Sequence, residues 1–214
     1  MSHLKRQNFP KSWPVPRKGS KFIVKASSKG IPILVLLRDV LKITRTRKEI
    51  KQAIFAKNVL VCGKVIKDER KNIELFDIIT LVPSKKNYQL SLSEKGKYEL
   101  KEIKESEKDK KVSKIINKKI LKKKKTQLNL LDGRNYLTDL KCSVNDSVII
   151  NLKKNQIEKC LDLKEKAKIF IIGGKHAGKQ GIIQKIDKKL KIAEVESDKQ
   201  KINVLIKQLM VVEW

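Results

Sequence analysis

The sequence has no apolar run of 18 or more residues and few aromatic side chains, with Phe, Trp and Tyr making up only 5%. A run of that length is what a membrane-spanning helix needs, so we expect none here. The N-terminal segment is basic but contains no apolar stretch, which argues against a secretory signal. The low aromatic content disfavours one large core, and a chain of 214 residues predicts one to three small domains.

Cysteine and histidine are also scarce. Cys62, Cys142 and Cys160 are odd in number and far apart, so they match neither a zinc-site spacing nor a disulfide framework. We expect them to be small, buried or half-buried residues in a reducing compartment. His3 and His176 lie in basic segments without a neighbouring carboxylate, so neither belongs to a catalytic or metal-binding motif. We therefore expect no metal and no cofactor.

Positive charge is what the chain has in excess: 52 Lys and Arg face 23 Asp and Glu, a net charge of +29. Such a charge indicates a polyanion-binding protein. A membrane-surface protein would concentrate it on an amphipathic helix, whereas here it runs through every segment, which favours nucleic acid. Only seven of these residues are arginine, so lysine–phosphate contacts should dominate over base reading. A bias of the source genome towards lysine is a compatible explanation.

A glycine-rich loop lies between two apolar runs at 169–172 and 182–186. β-Branched runs bounded by glycines predict two strands joined by a loop. The lysines among the glycines would make a positively charged, backbone-lined surface suited to phosphate. We expect Gly174 and Gly178 to need special backbone geometry or a close approach of RNA. The candidate RNA contacts in this loop are Gly174, Lys175, His176, Gly178 and Lys179.

Two other interpretations of this loop are a nucleotide-binding loop and a plain surface hairpin. Gly173, Gly178 and Lys179 match a P-loop nucleotide-binding motif up to its last position, which should be Ser or Thr and is Gln180. The motif also requires a following helix, but 182–186 has the composition of a strand. A plain surface hairpin without a partner is the other interpretation, and the charge of the whole chain argues against it.

Residues 1–30 predict an extended basic N-terminal tail, since Pro10, Pro14 and Pro16 break any helix. Phe9 and Trp13 would be its apolar anchors. We interpret the segment as a tail that becomes ordered on RNA, with a solvated tail as the alternative. Its candidate RNA contacts are Lys5, Arg6, Trp13, Arg17 and Lys18.

Residues 31–83 predict a small α+β unit. Pro32 suits the first turn of a helix, and apolar residues then recur at helical spacing. Thr46 and Glu49 form a capping-box motif that opens a second helix, which runs to about residue 56. Strands at 59–62, 65–67 and 76–82 follow, with a turn at Gly63-Lys64.

This unit resembles the αL RNA-binding domain, in which the second helix is followed by the pattern V-x-V-(D/N)-G-K-x-x-x-D. Residues 59–64 read VLVCGK and Asp68 follows, with Cys62 in place of the usual Asp or Asn. The resemblance implies an RNA surface on the second helix, although a solvated helix face has the same composition. The candidate contacts of this unit are Arg45, Arg47, Lys48, Lys51 and Lys64.

Residues 84–162 predict a central β-rich domain, with strands at 88–92, 97–103, 148–152 and 157–163. Residues 128–131 enter a hairpin-type turn at Asp132-Gly133. The basic segment 104–125 carries a thin apolar stripe that predicts a helix; a disordered basic linker or an extension along RNA is equally compatible. Candidate contacts are Lys118, Lys119, Lys122, Lys123 and Arg134.

Residues 163–214 predict five short strands, at 169–172, 182–186, 192–195, 202–206 and 211–214. Five short strands in so few residues indicate a small closed barrel.

The order of five segments along the chain is distinctive: HLKR at 3–6, SWPVPRKG at 12–19, the αL-like unit, QLNLLDGRN at 127–135 and GGKHAGKQG at 173–181. In this order the chain resembles, from end to end, the archaeal and eukaryotic (e-type) family of ribosomal protein four of the small subunit. The terminal loop resembles a KOW motif on an SH3-like barrel. A shorter segment before Pro32, where the family usually has an insertion, is the main departure.

The resemblance implies a multidomain α+β protein made of the tail, an αL-type domain, a central β-rich domain and an SH3-like barrel. It implies a structural constituent of the small ribosomal subunit in the cytoplasm. The partners would be ribosomal RNA and neighbouring ribosomal proteins, with no membrane and no small-molecule substrate.

Two rival functions come from other classes. An RNA-modifying enzyme or its accessory protein is one, because αL domains also occur beside catalytic domains; the sequence shows no carboxylate pair in an apolar setting and no nucleophile–base pair. A translation or transcription factor with αL and KOW elements is the other, but it leaves QLNLLDGRN unexplained. We therefore expect an RNA-binding ribosomal protein that is not an enzyme.

Overall fold

A computed structural model describes residues 3–26, 30–121, 125–187, 189–197 and 200–213. The candidate contacts Lys122 and Lys123, and the last residue of the strand predicted at 211–214, lie outside the described residues. The chain divides into two units, one of residues 1–93 with 97–109 and one of residues 94–96 with 110–214. Strands predominate in both, and in the described ranges no helix is long and apolar enough to cross a membrane.

Residues 3–26 fold back on themselves. Strand β1 (His3–Lys5) pairs antiparallel with β2 (Phe22–Val24). Between them the rings of Phe9 and Trp13 stack at 5.9 Å, and Trp13 is only 1% exposed. The prediction of an extended tail is therefore wrong for these residues, because the rings of Phe9 and Trp13 pack against each other within the segment and are buried.

Two helical segments follow; the predicted start at Thr46 is confirmed, whereas Pro32, predicted in the first turn of the first helix, is the extended residue just before it. After β3 (Ile31–Pro32), helix α1 (Ile33–Val35) continues as one wide turn (Leu36–Val40) whose hydrogen bonds span five residues. Helix α2 (Arg47–Phe55) begins after Thr46, and the capping box forms as predicted. The run from Ile31 to Leu37 is entirely buried, so α1 forms the core against which the other elements pack.

A five-stranded antiparallel sheet completes the first unit, in the order β5-β4-β7-β8-β9. A short strand, β6, instead pairs with β3. The boundary predicted at residue 83 falls inside this sheet, because β7 and β8 pair directly across it. The strands are β4 (Val59–Val61), β5 (Lys64–Val65), β6 (Asn72–Ile73), β7 (Ile78–Leu81), β8 (Lys86–Leu92) and β9 (Tyr98–Ile103).

The turn between β4 and β5 lies one residue earlier than predicted. Cys62 and Gly63 both have positive φ, 49° and 74°, and Val61 pairs with Lys64. A two-residue hairpin loop needs this geometry, for which Asn or Asp is usual at the first position. The buried Cys62 thiol donates a hydrogen bond to Asp77 Oδ1 at 3.0 Å, which gives the residue a partner inside the unit.

Most of the basic segment 104–125 is a strand where the structure describes it, and its helical part is a single short turn at Glu105–Glu107. Strand β10 (Lys110–Ile120) occupies 11 of its residues. Its first half pairs with β13 (Ser147–Asn151), and its second half pairs with β11 (Thr126–Leu130). The helical prediction is wrong because pairing on both sides of the strand outweighs the thin helical stripe.

Strand β10 is the centre of a five-stranded antiparallel sheet in the order β12-β11-β10-β13-β14, where β12 is Asn135–Thr138 and β14 is Gln156–Leu161. The turn predicted at Asp132-Gly133 is confirmed, with Gly133 at φ 74°. The inner face of this sheet buries Ile115, Leu128, Leu130, Tyr136, Cys142, Val148 and Ile150.

Five strands are present at the C-terminal end, in the order β18-β17-β16-β15-β19, but the last one, predicted at 211–214, lies earlier and overlaps the prediction only at Val211. Side chains from all five enter one core, so the sheet curves around it. β16 follows the glycine loop directly, which confirms a strand where a P-loop would need a helix. The strands are β15 (Lys168–Ile171), β16 (Gln180–Asp187), β17 (Ile192–Ser197), β18 (Gln200–Leu205) and β19 (Leu209–Val211).

Candidate nucleic-acid interface

The glycine loop between β15 and β16 is held at both ends by the backbone. Gly178 N–H donates to Ile171 O at 2.8 Å, and Ile171 N–H donates to Lys179 O at 3.0 Å. Ile172 N–H donates to Gln208 O at 2.8 Å, which ties the loop to the segment before β19. The loop is therefore a fixed projection of the sheet.

Gly174 and Gly178 were predicted to need special backbone geometry or a close approach of RNA, and their φ angles of 88° and 92° confirm the first alternative for both. A Cβ at Gly174 would also lie 2.7 Å from Gln208 Oε1. Gly178 is buried, whereas Gly174 is exposed at the tip. An RNA contact of either glycine stays a prediction.

Gly181 has a role that sequence reasoning missed. Its φ is not left-handed, but a Cβ there would lie 2.4 Å from Glu196 O and 2.6 Å from Val195 Cγ1. The glycine therefore lets β17 approach β16 closely. An isolated glycine inside a strand pattern is the sequence signal for such a contact.

The cations of the loop differ in exposure. Lys175 is exposed beside Gly174, whereas His176 and Lys179 are half-buried. The tip thus presents one exposed ammonium group together with accessible backbone, an arrangement that can hold a phosphate oxygen.

Helix α2 presents most of its predicted cations to solvent. Arg45, Lys48 and Lys51 are exposed, and among the described residues no ion pair includes Lys48 or Lys51. Arg45 N–H donates to Glu49 Oε2 at 2.9 Å, and this hydrogen bond lowers the pKa of the Glu49 carboxyl. These side chains can reach an external polyanion without breaking an ion pair.

Arg47 is different because it pairs with Glu69 within the unit. Its Nε donates to Glu69 Oε1 at 3.0 Å, and its Nη2 bonds the same oxygen. Burial would raise the pKa of Glu69, but the hydrogen bond and charge of Arg47 outweigh burial and lower it. Arg47 therefore anchors the start of α2, and its charge is already neutralised in part.

In the N-terminal segment the two predicted arginines organise the fold. Arg6 donates through Nε to Ser20 O at 2.7 Å and through Nη1 to Pro16 O at 2.8 Å. Arg17 donates to Gln7 O at 2.6 Å and lies over the Phe9 ring. Each guanidinium group therefore donates hydrogen bonds to backbone carbonyl oxygens of its own segment.

The remaining candidates of this segment divide by exposure. Lys5 and Lys18 are exposed. The Trp13 indole donates to Gly30 O at 3.0 Å and is 1% exposed, so it cannot stack on a base in this conformation. The prediction of a direct RNA contact by Trp13 is wrong, because its ring belongs to the core.

Of the remaining candidates, Lys64, Lys118 and Lys119 are exposed. Lys118 Nζ donates to Cys142 O at 3.1 Å. Arg134 is half-buried, with Nε 3.6 Å from Asp132 Oδ2. All three lysines are therefore accessible, although Lys118 already has a partner within the chain, as does Arg134.

The fold brings one cysteine into a cluster that the sequence spacing did not predict. Ligand atoms of Asp146, Cys160 and Asp162 lie within 4.8 Å of one another. The Asp146 carboxylate already accepts hydrogen bonds from backbone N–H groups of Ser143 and Leu163, and Asp162 pairs with a lysine. Burial and the neighbouring Cys142 thiol raise the pKa of Cys160. The Asp146 carboxylate therefore stabilises the local turn, and the Cys160 thiol beside it stays protonated.

Three family models match the chain. The model described as Ribosomal family S4e matches residues 84–157, the RS4NT domain matches residues 2–28, and the KOW motif matches residues 165–196. The KOW match contains the glycine loop, and the RS4NT match covers the folded N-terminal segment.

Curated relatives match over most of the chain. The small ribosomal subunit protein eS4 of Archaeoglobus fulgidus is 38% identical over 187 residues, which is 85% of this chain and 79% of the relative. The eS4 protein of Methanospirillum hungatei is 36% identical over 189 residues, 85% of this chain and 78% of the relative.

A solved structure has the same fold. The crystal structure of the 30S ribosomal protein S4e from Thermoplasma acidophilum superposes with a TM-score of 0.75 and 21% identity, covering 87% of this chain and 96% of that chain. Since the sequence identities extend over most of this chain and of its relatives, the chain belongs to the eS4 family of small ribosomal subunit proteins.

Proposed function

We propose that this protein is a structural constituent of the small ribosomal subunit that binds ribosomal RNA and is not an enzyme. The observation that carries the proposal is its 38% identity, over 85% of the chain, to a protein named for that subunit. The net charge of +29 supports ribosomal RNA as the partner, because phosphate is the polyanion such a charge would bind. Its location would be that of the subunit, in the cytoplasm, beside neighbouring ribosomal proteins.

The α2 surface, defined as Arg45, Lys48 and Lys51, is the part of the proposed interface that the geometry supports best. All three side chains are exposed on or beside one short helix. Residues three apart on a helix face the same side, so Lys48 and Lys51 can meet one phosphate backbone together. Lys64 and Lys175 are the candidates at the β4–β5 turn and at the glycine loop.

We further propose that residues 31–83 belong to an αL-type RNA-binding domain that includes the β8–β9 hairpin. The capped helix α2, the buried α1 and the two-residue turn at Cys62-Gly63 support this assignment. The C-terminal strands would form the SH3-like barrel that carries the KOW motif, supported by their single shared core. The central domain would then begin near residue 110.

The experiment compares two charge-reversal variants of the full chain. Lys48→Glu with Lys51→Glu should lower affinity for small-subunit ribosomal RNA and reduce incorporation into subunits, while the circular dichroism spectrum stays native. Lys101→Glu with Lys104→Glu makes the same change in net charge at β9 and the exposed residue after it, and serves as the control. Equal effects of the two variants would contradict a specific α2 surface.

A second measurement separates a ribosomal constituent from a factor. The tagged chain is followed by sedimentation of small subunits through gradients at high salt. A constituent stays with the subunit, because its contacts are buried in the particle. Release of the chain into the free fractions would favour a translation or transcription factor and contradict the proposal.

A further inference from the structure

A groove of about 1000 Å³ lies in the second unit. One wall is the turn from Lys141 to Asp146 together with the segment after β14. The other wall is the β16–β17 turn together with the connection between β18 and β19. We call it the lysine-rimmed groove, and its volume is at the upper end of ordinary binding sites.

Hydrogen bonds fix both walls of the lysine-rimmed groove. Asp146 accepts from Ser143 N–H at 2.7 Å and from Leu163 N–H at 2.9 Å, which joins the first wall. Asp187 Oδ1 accepts from Leu190 N–H at 3.1 Å, which shapes the turn in the second wall. Ile206 N–H donates to Lys191 O at 2.9 Å, so this turn is also tied to the connection beside it. The groove is therefore preformed.

Aliphatic side chains line the groove and remain accessible. Val144 is 45% exposed, Leu190 is 67% exposed and Leu205 is 38% exposed. Single exposed apolar residues are normal on a protein surface, but these three converge on one concavity. Such convergence is typical of a binding site for an apolar group.

Lysines surround this apolar lining. Lys141, Lys191 and Lys207 are exposed, and in the described ranges none of them belongs to an ion pair. The two carboxylates in the groove are already engaged, Asp146 by backbone N–H groups and Asp162 by Lys164 at 2.6 Å. The described lining contains four lysines and two aspartates, so a net charge of +2 surrounds the aliphatic surface.

The absence of certain side chains distinguishes between two kinds of partner. No aromatic residue and no arginine belongs to the described lining of the groove. Proteins hold unstacked RNA bases on aromatic rings or on guanidinium planes, and neither is present. Aliphatic side chains of a protein partner would fit the lining, and acidic residues beside them would match the lysines.

We propose that the lysine-rimmed groove docks an acidic segment of another protein, in which aliphatic side chains enter the groove and flanking Asp or Glu residues meet Lys141, Lys191 and Lys207. The described lining of the groove contains no residue of the α2 surface, the β4–β5 turn or the glycine loop. Its failure would leave the proposed ribosomal function standing.

The experiment uses the full chain and a displayed library of short random peptides, selected with single-stranded RNA present as competitor. Enriched peptides should carry Leu, Ile or Val flanked by Asp or Glu. Their affinity is then measured by fluorescence anisotropy. Leu190→Ser with Leu205→Ser, and separately Lys191→Glu with Lys207→Glu, should each weaken binding at least about tenfold, as is typical for loss of central contacts.

The matched control is Leu137→Ser with Lys168→Glu, which changes one exposed leucine and one exposed lysine outside the groove. It should bind the enriched peptides like the wild type. Because the substituted leucines are exposed, circular dichroism should show a native fold for every variant.

Three results would overturn the proposal. The first is that no peptide is enriched. The second is that the enriched peptides bind the groove variants and the control equally. The third is that ribosomal RNA protects Lys191 and Lys207 from acylation and loses affinity in the lysine variant, which would assign the groove to RNA.

Discussion

Lys111 Nζ lies 2.7 Å from Asp132 Oδ2, and both side chains are buried, at 1% and 6% exposed. The pair joins the central strand β10 to the turn between β11 and β12. Asp132 also accepts from Arg134 N–H at 3.2 Å within the turn. The buried ion pair therefore holds the Asp132-Gly133 turn against the sheet. The Asp132 carboxylate makes this contact in addition to the hydrogen bond that it accepts within the turn.

Breaking this pair should destabilise the chain. Lys111→Met removes the ammonium partner of the buried Asp132 carboxylate and leaves the Arg134 guanidinium, 3.6 Å away, as its remaining cation, at an expected cost of about 1–3 kcal/mol in the free energy of unfolding. The measurement is urea denaturation followed by circular dichroism. Lys110→Met, at the exposed neighbouring position of β10, should cost less than about 1 kcal/mol.

A double variant tests the cause of that loss. Lys111→Met with Asp132→Asn removes both charges and should recover part of the stability, because the penalty arises from the unpaired charge. If Lys111→Met is no more destabilising than Lys110→Met, the pair does not stabilise the turn.

Lys114 should make stability depend on pH in the alkaline range. Its Nζ donates to Ile206 O at 2.5 Å and to Leu209 O at 2.7 Å, and burial lowers its pKa from 10.5 to about 8. Between these values the unfolded lysine holds a proton that the folded lysine has lost. The unfolded state therefore binds more protons there, and the contribution of Lys114 to stability rises as pH rises.

The comparison is the free energy of unfolding of the wild type minus that of Lys114→Met, measured from pH 7.5 to pH 10.5. Because both chains share the other lysines, this difference isolates Lys114, and it should grow by up to about 3 kcal/mol. Nuclear magnetic resonance of the Lys114 side chain should give a titration midpoint near 8. A midpoint at 10.5 would refute the effect of burial.

Substituting Gly178 should destabilise the glycine loop more than substituting Gly173. Gly178→Ala places a Cβ on a backbone with φ of 92°, at an expected cost of about 1–3 kcal/mol. Gly173→Ala is the matched control, since its nearest neighbour would be Gln208 Cγ at 4.0 Å and its φ is not left-handed. Thermal unfolding and incorporation into subunits are measured together. Equal melting temperatures would show that the left-handed geometry at Gly178 is unimportant.

RNA affinity should depend steeply on salt, because lysine–phosphate contacts release counterions. If about 6–10 phosphates are engaged, affinity falls roughly 10³–10⁵-fold between 50 and 200 mM salt. Lys48→Glu with Lys51→Glu should reduce the slope of log affinity against log salt by about two, and Lys101→Glu with Lys104→Glu should leave it unchanged. A flat profile for the wild type in filter binding would contradict phosphate contacts as the main source of affinity.

Local patterns predicted the elements whose causes are local. The capping box at Thr46 and Glu49 needs only residues three apart, and the Asp132-Gly133 turn needs only a residue that tolerates positive φ. The glycine pattern likewise indicated special backbone geometry or a close approach of RNA at Gly174 and Gly178, and the left-handed geometry of both is such a local cause. Exposed lysines of the α2 surface were predictable because charged side chains seldom bury without a partner.

The errors concern residues whose role depends on distant parts of the chain. Segment 104–125 carried a weak helical stripe, yet β10 forms because β11 and β13 lie on its two sides. Trp13 is buried because Phe9 and the carbonyl of Gly30 complete its environment. The periodicity of a segment carries no information about a partner many residues away. The local pattern therefore could not predict the pairing of β10 or the burial of Trp13.

The amino-acid sequence by itself determined the charge, the family motifs and the turns, because each follows from composition or from neighbours within a few residues. Only the tertiary structure decided which cations remain accessible. Lys111 and Lys114 are lysines like Lys48, yet both are buried and hydrogen-bonded within the second unit. In the first unit the side chain of Arg47 is 49% exposed, but its charge is neutralised in part by Glu69. A charge can bind an external phosphate only where the fold has supplied no internal partner, and that is set by contacts across the sheets.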